Sequence, residues 1–174
     1  MAQSVELALD SKAEAALVSQ RDRLAAAGLA RPKHPEPYQH HLPHITLYAA
    51  DAIPEAAESV LPGIVAGIDL SVQIGALMIF GPRKGECILV RHVAASVELL
   101  ELQQRVAAAC GADPNGQFGF GRWSPHVTLA RRVSSEHVGK AVKVLGPHGE
   151  LNATAQRCRR WDGRRRVAWW LTPD

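Results

Sequence analysis

The same four-residue pattern stands twice in this chain, as His44-Ile45-Thr46-Leu47 and His126-Val127-Thr128-Leu129, 82 residues apart. Matches of that length arise by chance, but here the surroundings repeat too. A helix start, Ser11 or Ser96, precedes the patterns by 33 and 30 residues, and a hairpin tip, Gly81 or Trp161, follows by 37 and 35. The chain therefore reads as two copies of one unit: strand, helix, motif strand, helix, strand, strand. The copies cover about 4–92 and 86–171, the strand at 86–92 closing one and opening the other. At 174 residues they make a single domain, 1–174.

Local signals fill in the unit. Residues 4–9 predict a strand, and Asp10 or Ser11 caps a helix to about residue 27, with Glu14 at capping-box spacing and Gly28 as its stop. Residues 31–43 hold four prolines and three histidines and read as an irregular loop. A strand at 44–50 and a helix at 54–66 follow. Strands at 69–80 and 86–92 flank a turn with glycine at both ends. The second copy gives a helix at 96–110, a Gly-rich loop at 113–123, a strand at 126–131, a helix at 135–145 and a hairpin of strands 150–160 and 164–171. The expected class is α+β: a bilobal, pseudo-two-fold duplicated unit whose two mainly antiparallel sheets face a central cleft, with helices outside. Spacing leaves one continuous sheet open as the alternative.

Strand side chains alternate between faces. Ile45, Leu47, Val127 and Leu129 then point to the helices, while His44, Thr46, Tyr48, His126 and Thr128 point to the cleft. Two imidazoles and two hydroxyls around one axis suit a phosphodiester. One imidazole takes a proton from the attacking oxygen and the other gives one to the leaving oxygen. Imidazole titrates near neutrality, so one neutral and one charged ring coexist with little tuning. The threonines donate hydrogen bonds to non-bridging oxygens, and an arginine balances the growing charge. A two-histidine metal site is the competing chemistry, but no carboxylate or thiolate stands at recognisable ligand spacing, so no metal and no cofactor is expected. His40 and His41 read as exposed loop residues, and His34, His92, His137 and His148 as structural or surface positions without a repeat partner.

Composition matters for partners and compartment. Residues 1–87 carry 7 Lys/Arg and 10 Asp/Glu; residues 88–174 carry 13 and 7. Six arginines (Arg157, Arg159, Arg160, Arg164, Arg165, Arg166) fall within ten residues, which suits an anionic partner such as RNA or a nucleotide, or forms a solvated hairpin. Three isolated cysteines support neither a disulfide framework nor a thiolate zinc site. No membrane span or secretory signal is visible, so a cytoplasmic monomer without membrane contact is expected.

The paired segments His44-Ile45-Thr46-Leu47 and Ser124-Pro125-His126-Val127-Thr128-Leu129-Ala130-Arg131 resemble the 2H phosphoesterase superfamily, and within it the 2′-5′ RNA ligase and RNA 2′,3′-cyclic phosphodiesterase group. The resemblance covers nearly the whole chain. It implies a bilobal α+β fold and metal-free opening of a 2′,3′-cyclic phosphate to a 2′-phosphomonoester, with reversible 2′-5′ ligation in some members and ADP-ribose cyclic phosphate as substrate in others. It implies His44 and His126 as catalytic, and Thr46, Thr128 and Arg131 as phosphate contacts. Simple alternation turns Arg131 to the helix face unless the strand ends or twists there, and Arg132 is the fallback. Tyr48, by its face, and Trp123, in the loop before the second motif, are candidates for substrate binding; packing against the loop is the alternative for Trp123. Trp161, Trp169 and Trp170 read as core or edge residues of the last hairpin. A non-catalytic RNA- or nucleotide-binding module is the competing class, and it would leave a cyclic nucleotide unconverted.

Overall fold

A computed structural model describes residues 3–29, 42–147 and 149–173. The elements run β1 (Gln3–Ala8), α1 (Ser11–Ala26), β2 (His44–Ala50), α2 (Glu55–Val65), β3 (Leu70–Arg83), β4 (Glu86–Val93), α3 (Val97–Ala109), β5 (His126–Ser134), α4 (Val138–Leu145), β6 (Leu151–Ala155), β7 (Arg157–Asp162) and β8 (Val167–Trp170). The proline- and histidine-rich loop, with His34, His40 and His41, lies outside the described residues apart from Leu42 and Pro43, as does His148. Both leading helices are capped as their sequences demand: Asp10 accepts the Ala13 N–H and Ser96 the Leu99 N–H.

Among the described residues the eight strands form one antiparallel sheet in the order β6-β3-β4-β5-β2-β1-β7-β8. This corrects the expectation of two separate sheets. The halves join at a seam of one residue pair, Ile45 opposite Val127, between the motif strands β2 and β5. Outward from the seam the halves mirror each other: β2-β1-β7-β8 makes lobe I and β5-β4-β3-β6 makes lobe II. The chain crosses between them, because the hairpin β3–β4 joins lobe II while β7–β8 joins lobe I. The long strand expected at 150–160 is therefore two strands parted by Gln156, one at the lobe II edge and one beside β1. Asp10 ties that crossover, its carboxylate accepting the Thr154 N–H at 2.6 Å and its own N–H donating to the Thr154 carbonyl at 2.9 Å.

One hydrophobic core backs the sheet. Val5, Leu7, Ile45, Leu47, Leu89 and Val127 from the strands meet Leu17, Leu24, Leu61, Leu99 and Val106 from the helices, all of them fully buried. Emptying one such leucine position costs about 2–5 kcal/mol. The seam is thin in hydrogen bonds, but this shared core runs beneath it, so packing holds the lobes together.

Candidate active site at the seam

Ile45 and Val127 face the core, so their strand neighbours face the other way. Antiparallel pairing at 45/127 sets His44 beside Thr128 and Thr46 beside His126, about 5 Å apart across the strands. The four residues ring the pseudo-two-fold axis, and all four are partly exposed. Each imidazole is fixed alike. Nδ1 of His44 lies 2.7 Å from the Leu42 carbonyl, and Nδ1 of His126 lies 2.7 Å from the Ser124 carbonyl. A carbonyl only accepts, so Nδ1 carries the hydrogen and Nε2 is left for proton transfer. Burial holds both imidazoles below their ordinary pKa. For His44, Glu6 and the Leu42 carbonyl oppose that shift, while Arg159 and Arg21 add to it. For His126, the Ser124 carbonyl opposes it and Arg131 adds to it.

A duplicated β-bulge decides where the next residues go. Val5 pairs with Tyr48 and Glu6 with Thr46, leaving Leu47 extra; Leu89 pairs with Ala130 and Val90 with Thr128, leaving Leu129 extra. The bulge turns Tyr48 to the core side, opposite Val5, where it is buried with its ring 5.2 Å from Phe118. Tyr48 therefore does not line the cleft, because alternation fails at the extra residue. In β5 the same phase change brings Arg131 out, exposed, to the face of His126 and Thr128. Arg132, at φ 59°, points instead to Glu86, 3.9 Å away.

Beyond 45/127 the motif strands part, and the protein closes each freed threonine carbonyl with a side chain. Trp123 Nε1 donates to the Thr46 carbonyl at 3.1 Å, with its ring packed against the core. Arg21 donates to the Thr128 carbonyl from Nε at 3.1 Å and Nη2 at 2.7 Å. Burial, and then Arg131 and Arg159, push Arg21 down to about 10.

Several site neighbours escaped the sequence. Glu6, opposite Thr46, is 4% exposed; its Oε1 lies 3.4 Å from His44 Nε2, and its Oε2 takes Arg159 Nη2 at 2.8 Å and Nε at 2.9 Å. Ser4 donates to Glu6 at 2.6 Å. Burial raises the Glu6 carboxyl, but His44, Arg159 and Ser4 together hold it below its ordinary value. In lobe II the matching position is Val90, fully buried. His92 stands opposite His126 where Ala8 stands opposite His44, and Phe80 meets the His126 ring edge-on at 4.9 Å. The only signal for Glu6 was an acidic residue between Val5 and Leu7 inside an expected strand. Five of the six clustered arginines sort three ways. Arg159 faces Glu6, Arg160 is buried on the helix side against Glu58 at 2.6 Å, and Arg164, Arg165 and Arg166 sit exposed at the β7–β8 turn. That turn lies at the strand end paired with Gln3 and Ala50, the far end from His44.

A family model described as the 2′-5′ RNA ligase superfamily matches residues 12–165. The chain belongs to that superfamily. This superfamily member resembles the crystal structure of TT0787 of Thermus thermophilus, with a TM-score of 0.61 at 18% identity over 98% of this chain and 95% of that one. It also resembles E. coli LigT in apo form, with a TM-score of 0.58 at 14% identity over 97% and 92%. At such identities the likeness is one of fold. No curated protein matches it significantly. No helix among the described residues is long and apolar enough to cross a membrane.

Proposed function

We propose that this superfamily member is a phosphodiesterase that opens 2′,3′-cyclic phosphates at RNA or nucleotide ends to 2′-phosphomonoesters, using its own side chains and no metal ion. The observation that carries the reading is the seam itself: two imidazoles, each with Nδ1 committed to the carbonyl two residues back, flanked crosswise by two threonines. His126 Nε2 takes a proton from water as the oxygen attacks phosphorus. The P–O3′ bond breaks, and O3′ leaves with the proton from His44 Nε2. Thr46, Thr128 and Arg131 hold the non-bridging oxygens and stabilise their growing charge.

Glu6 supports one direction over the other. A carboxylate 3.4 Å from His44 favours its protonated form, while His126 has apolar Val90 and Phe80 nearby and cationic Arg131 on its face. His44 is accordingly the acid and His126 the base. A 5′-hydroxyl of a second strand in place of water gives 2′-5′ ligation by the same groups in the same direction: the P–O5′ bond forms, the P–O3′ bond breaks and O3′ leaves with the proton from His44. The test is incubation with 2′,3′-cyclic nucleotides, ADP-ribose cyclic phosphate and cyclic-phosphate-ended RNA in EDTA, with product analysis. Conversion to 2′-phosphates that disappears in the double His44→Ala/His126→Ala protein is expected. Unchanged cyclic nucleotide after prolonged incubation would leave a binding module, and full activity in the double variant would refute the assigned residues.

A further inference from the structure

The catalytic face does not end at β1. Residues opposite each other on antiparallel strands share a face. From Thr46 the ladder runs to Glu6, then Arg159, then Trp170 on the edge strand β8. From His44 it runs to Ala8 and Arg157. The Arg157 guanidinium carbon lies 3.8 Å from the centroid of the Trp170 ring, and Trp170 remains 39% exposed. Arg157 thus stands beside Trp170 on the outer part of this face. Three strand spacings place Trp170 about 14 Å from Thr46. That is farther than the base of a terminal nucleotide reaches from its own phosphate. In lobe II the equivalent ladder from Thr128 passes Val90 and Met78, neither of them aromatic.

We infer that the Arg157–Trp170 pair is a stacking subsite for a nucleobase upstream of the cyclic phosphate, so that the substrate is a short single RNA strand laid outward across lobe I. An aromatic ring backed by a guanidinium is the chemistry that binds single-stranded bases without reading their sequence. The inference rests on the cyclic-phosphate reading for its direction, and two measurements separate the two.

The first is equilibrium binding of a labelled tetranucleotide ending in a 2′,3′-cyclic phosphate, against a cyclic mononucleotide, at fixed salt. The His44→Ala/His126→Ala protein serves as the scaffold, so that the ligand survives. The second is kcat/KM for both substrates with the active protein. The tetranucleotide should bind and react better, and Trp170→Ala should lower the tetranucleotide-to-mononucleotide ratio roughly 5- to 150-fold, the range for one lost base stack. Trp170→Phe should keep most of the ratio, and Arg157→Gln should lower it; these two variants carry the test if Trp170→Ala does not fold. An unchanged ratio in Trp170→Ala and Arg157→Gln overturns the subsite, as does an acidic peptide that competes as well as RNA, which would make the ligand a protein. Absence of turnover on every cyclic phosphate, with the binding difference intact, refutes the reaction and leaves the subsite standing.

Discussion

Opposite Thr46 the neighbouring strand places Glu6, and opposite Thr128 it places Val90; opposite His44 it places Ala8, and opposite His126 it places His92. Everything that positions the two motifs is otherwise duplicated: the strand, the bulge after the threonine, the Nδ1 bond to the carbonyl two residues back and the capped threonine carbonyl. The difference teaches that position and polarity come from separate sources. The repeat supplies two equivalent imidazoles. The adjoining strand sets their surroundings apart, with a buried ion pair beside His44 in lobe I and apolar Val90 and Phe80 in lobe II, and in the proposed mechanism that difference assigns the acid and the base.

The most severe test of that division removes each imidazole in turn. His44→Ala and His126→Ala should each lower turnover of a cyclic nucleotide by about 10²–10⁴-fold, the range for a general acid or base. The lobes should then be told apart by an activated diester such as bis(p-nitrophenyl) phosphate. Its leaving group departs without a proton, so the acid is dispensable and the base is not. On that substrate the His44→Ala defect should shrink to less than about tenfold while the His126→Ala defect stays. The opposite pattern would exchange the roles.

Glu6→Gln breaks the comparison from the side of the neighbour strand. It leaves Arg159 buried without its counter-charge, and the loss of one partner from such a pair costs about 3–5 kcal/mol. The sign for catalysis follows from His44. Burial already lowers its pKa and Glu6 opposes that, so removing the carboxylate lowers it further. The acid then loses its proton at lower pH, and the alkaline limb of the rate profile moves toward acid. Stability has its own window. The folded Glu6 carboxyl lies below its ordinary 4.5, so its contribution is present above that value and lost as pH falls through the lower folded value. Replacing both partners, as Glu6→Leu with Arg159→Met, should restore much of the stability and leave the alkaline limb displaced. Chemical denaturation and a kcat profile against pH check both halves; a limb that stays in place removes Glu6 from the mechanism.

The motif strands, both capped helices and the α+β class were legible because each rests on local chemistry or on the repeat. Tyr48 was misread because a bulge adds one residue without any sequence mark, and every later side chain changes face. The same bulge resolved Arg131, whose face alternation alone had set the wrong way. The splitting of residues 150–160 between distant strands was invisible because strand propensity says nothing about partners, and only the tie of Asp10 to Thr154 marks the crossover. Glu6 stayed hidden for a related reason: its role exists only through the β1–β2 register and the arrival of Arg159 from 153 residues away.

The smallest effects belong to the two carbonyl caps, and they sharpen the same contrast. Arg21→Met uncaps the Thr128 carbonyl and should cost about 1–3 kcal/mol, the range for a buried polar group left without a partner. It also removes a positive charge that lowers His44, so the alkaline limb should move to higher pH, opposite to Glu6→Gln. Trp123→Phe keeps an aromatic ring and deletes only the N–H given to Thr46. It should cost about 1 kcal/mol, the net worth of one neutral hydrogen bond, and move neither limb. The ring also separates the two readings of Trp123. If its work is packing and capping, Trp123→Phe should lower the melting temperature while KM for a cyclic mononucleotide holds. A several-fold rise in KM with unchanged stability would instead place the indole against the substrate base.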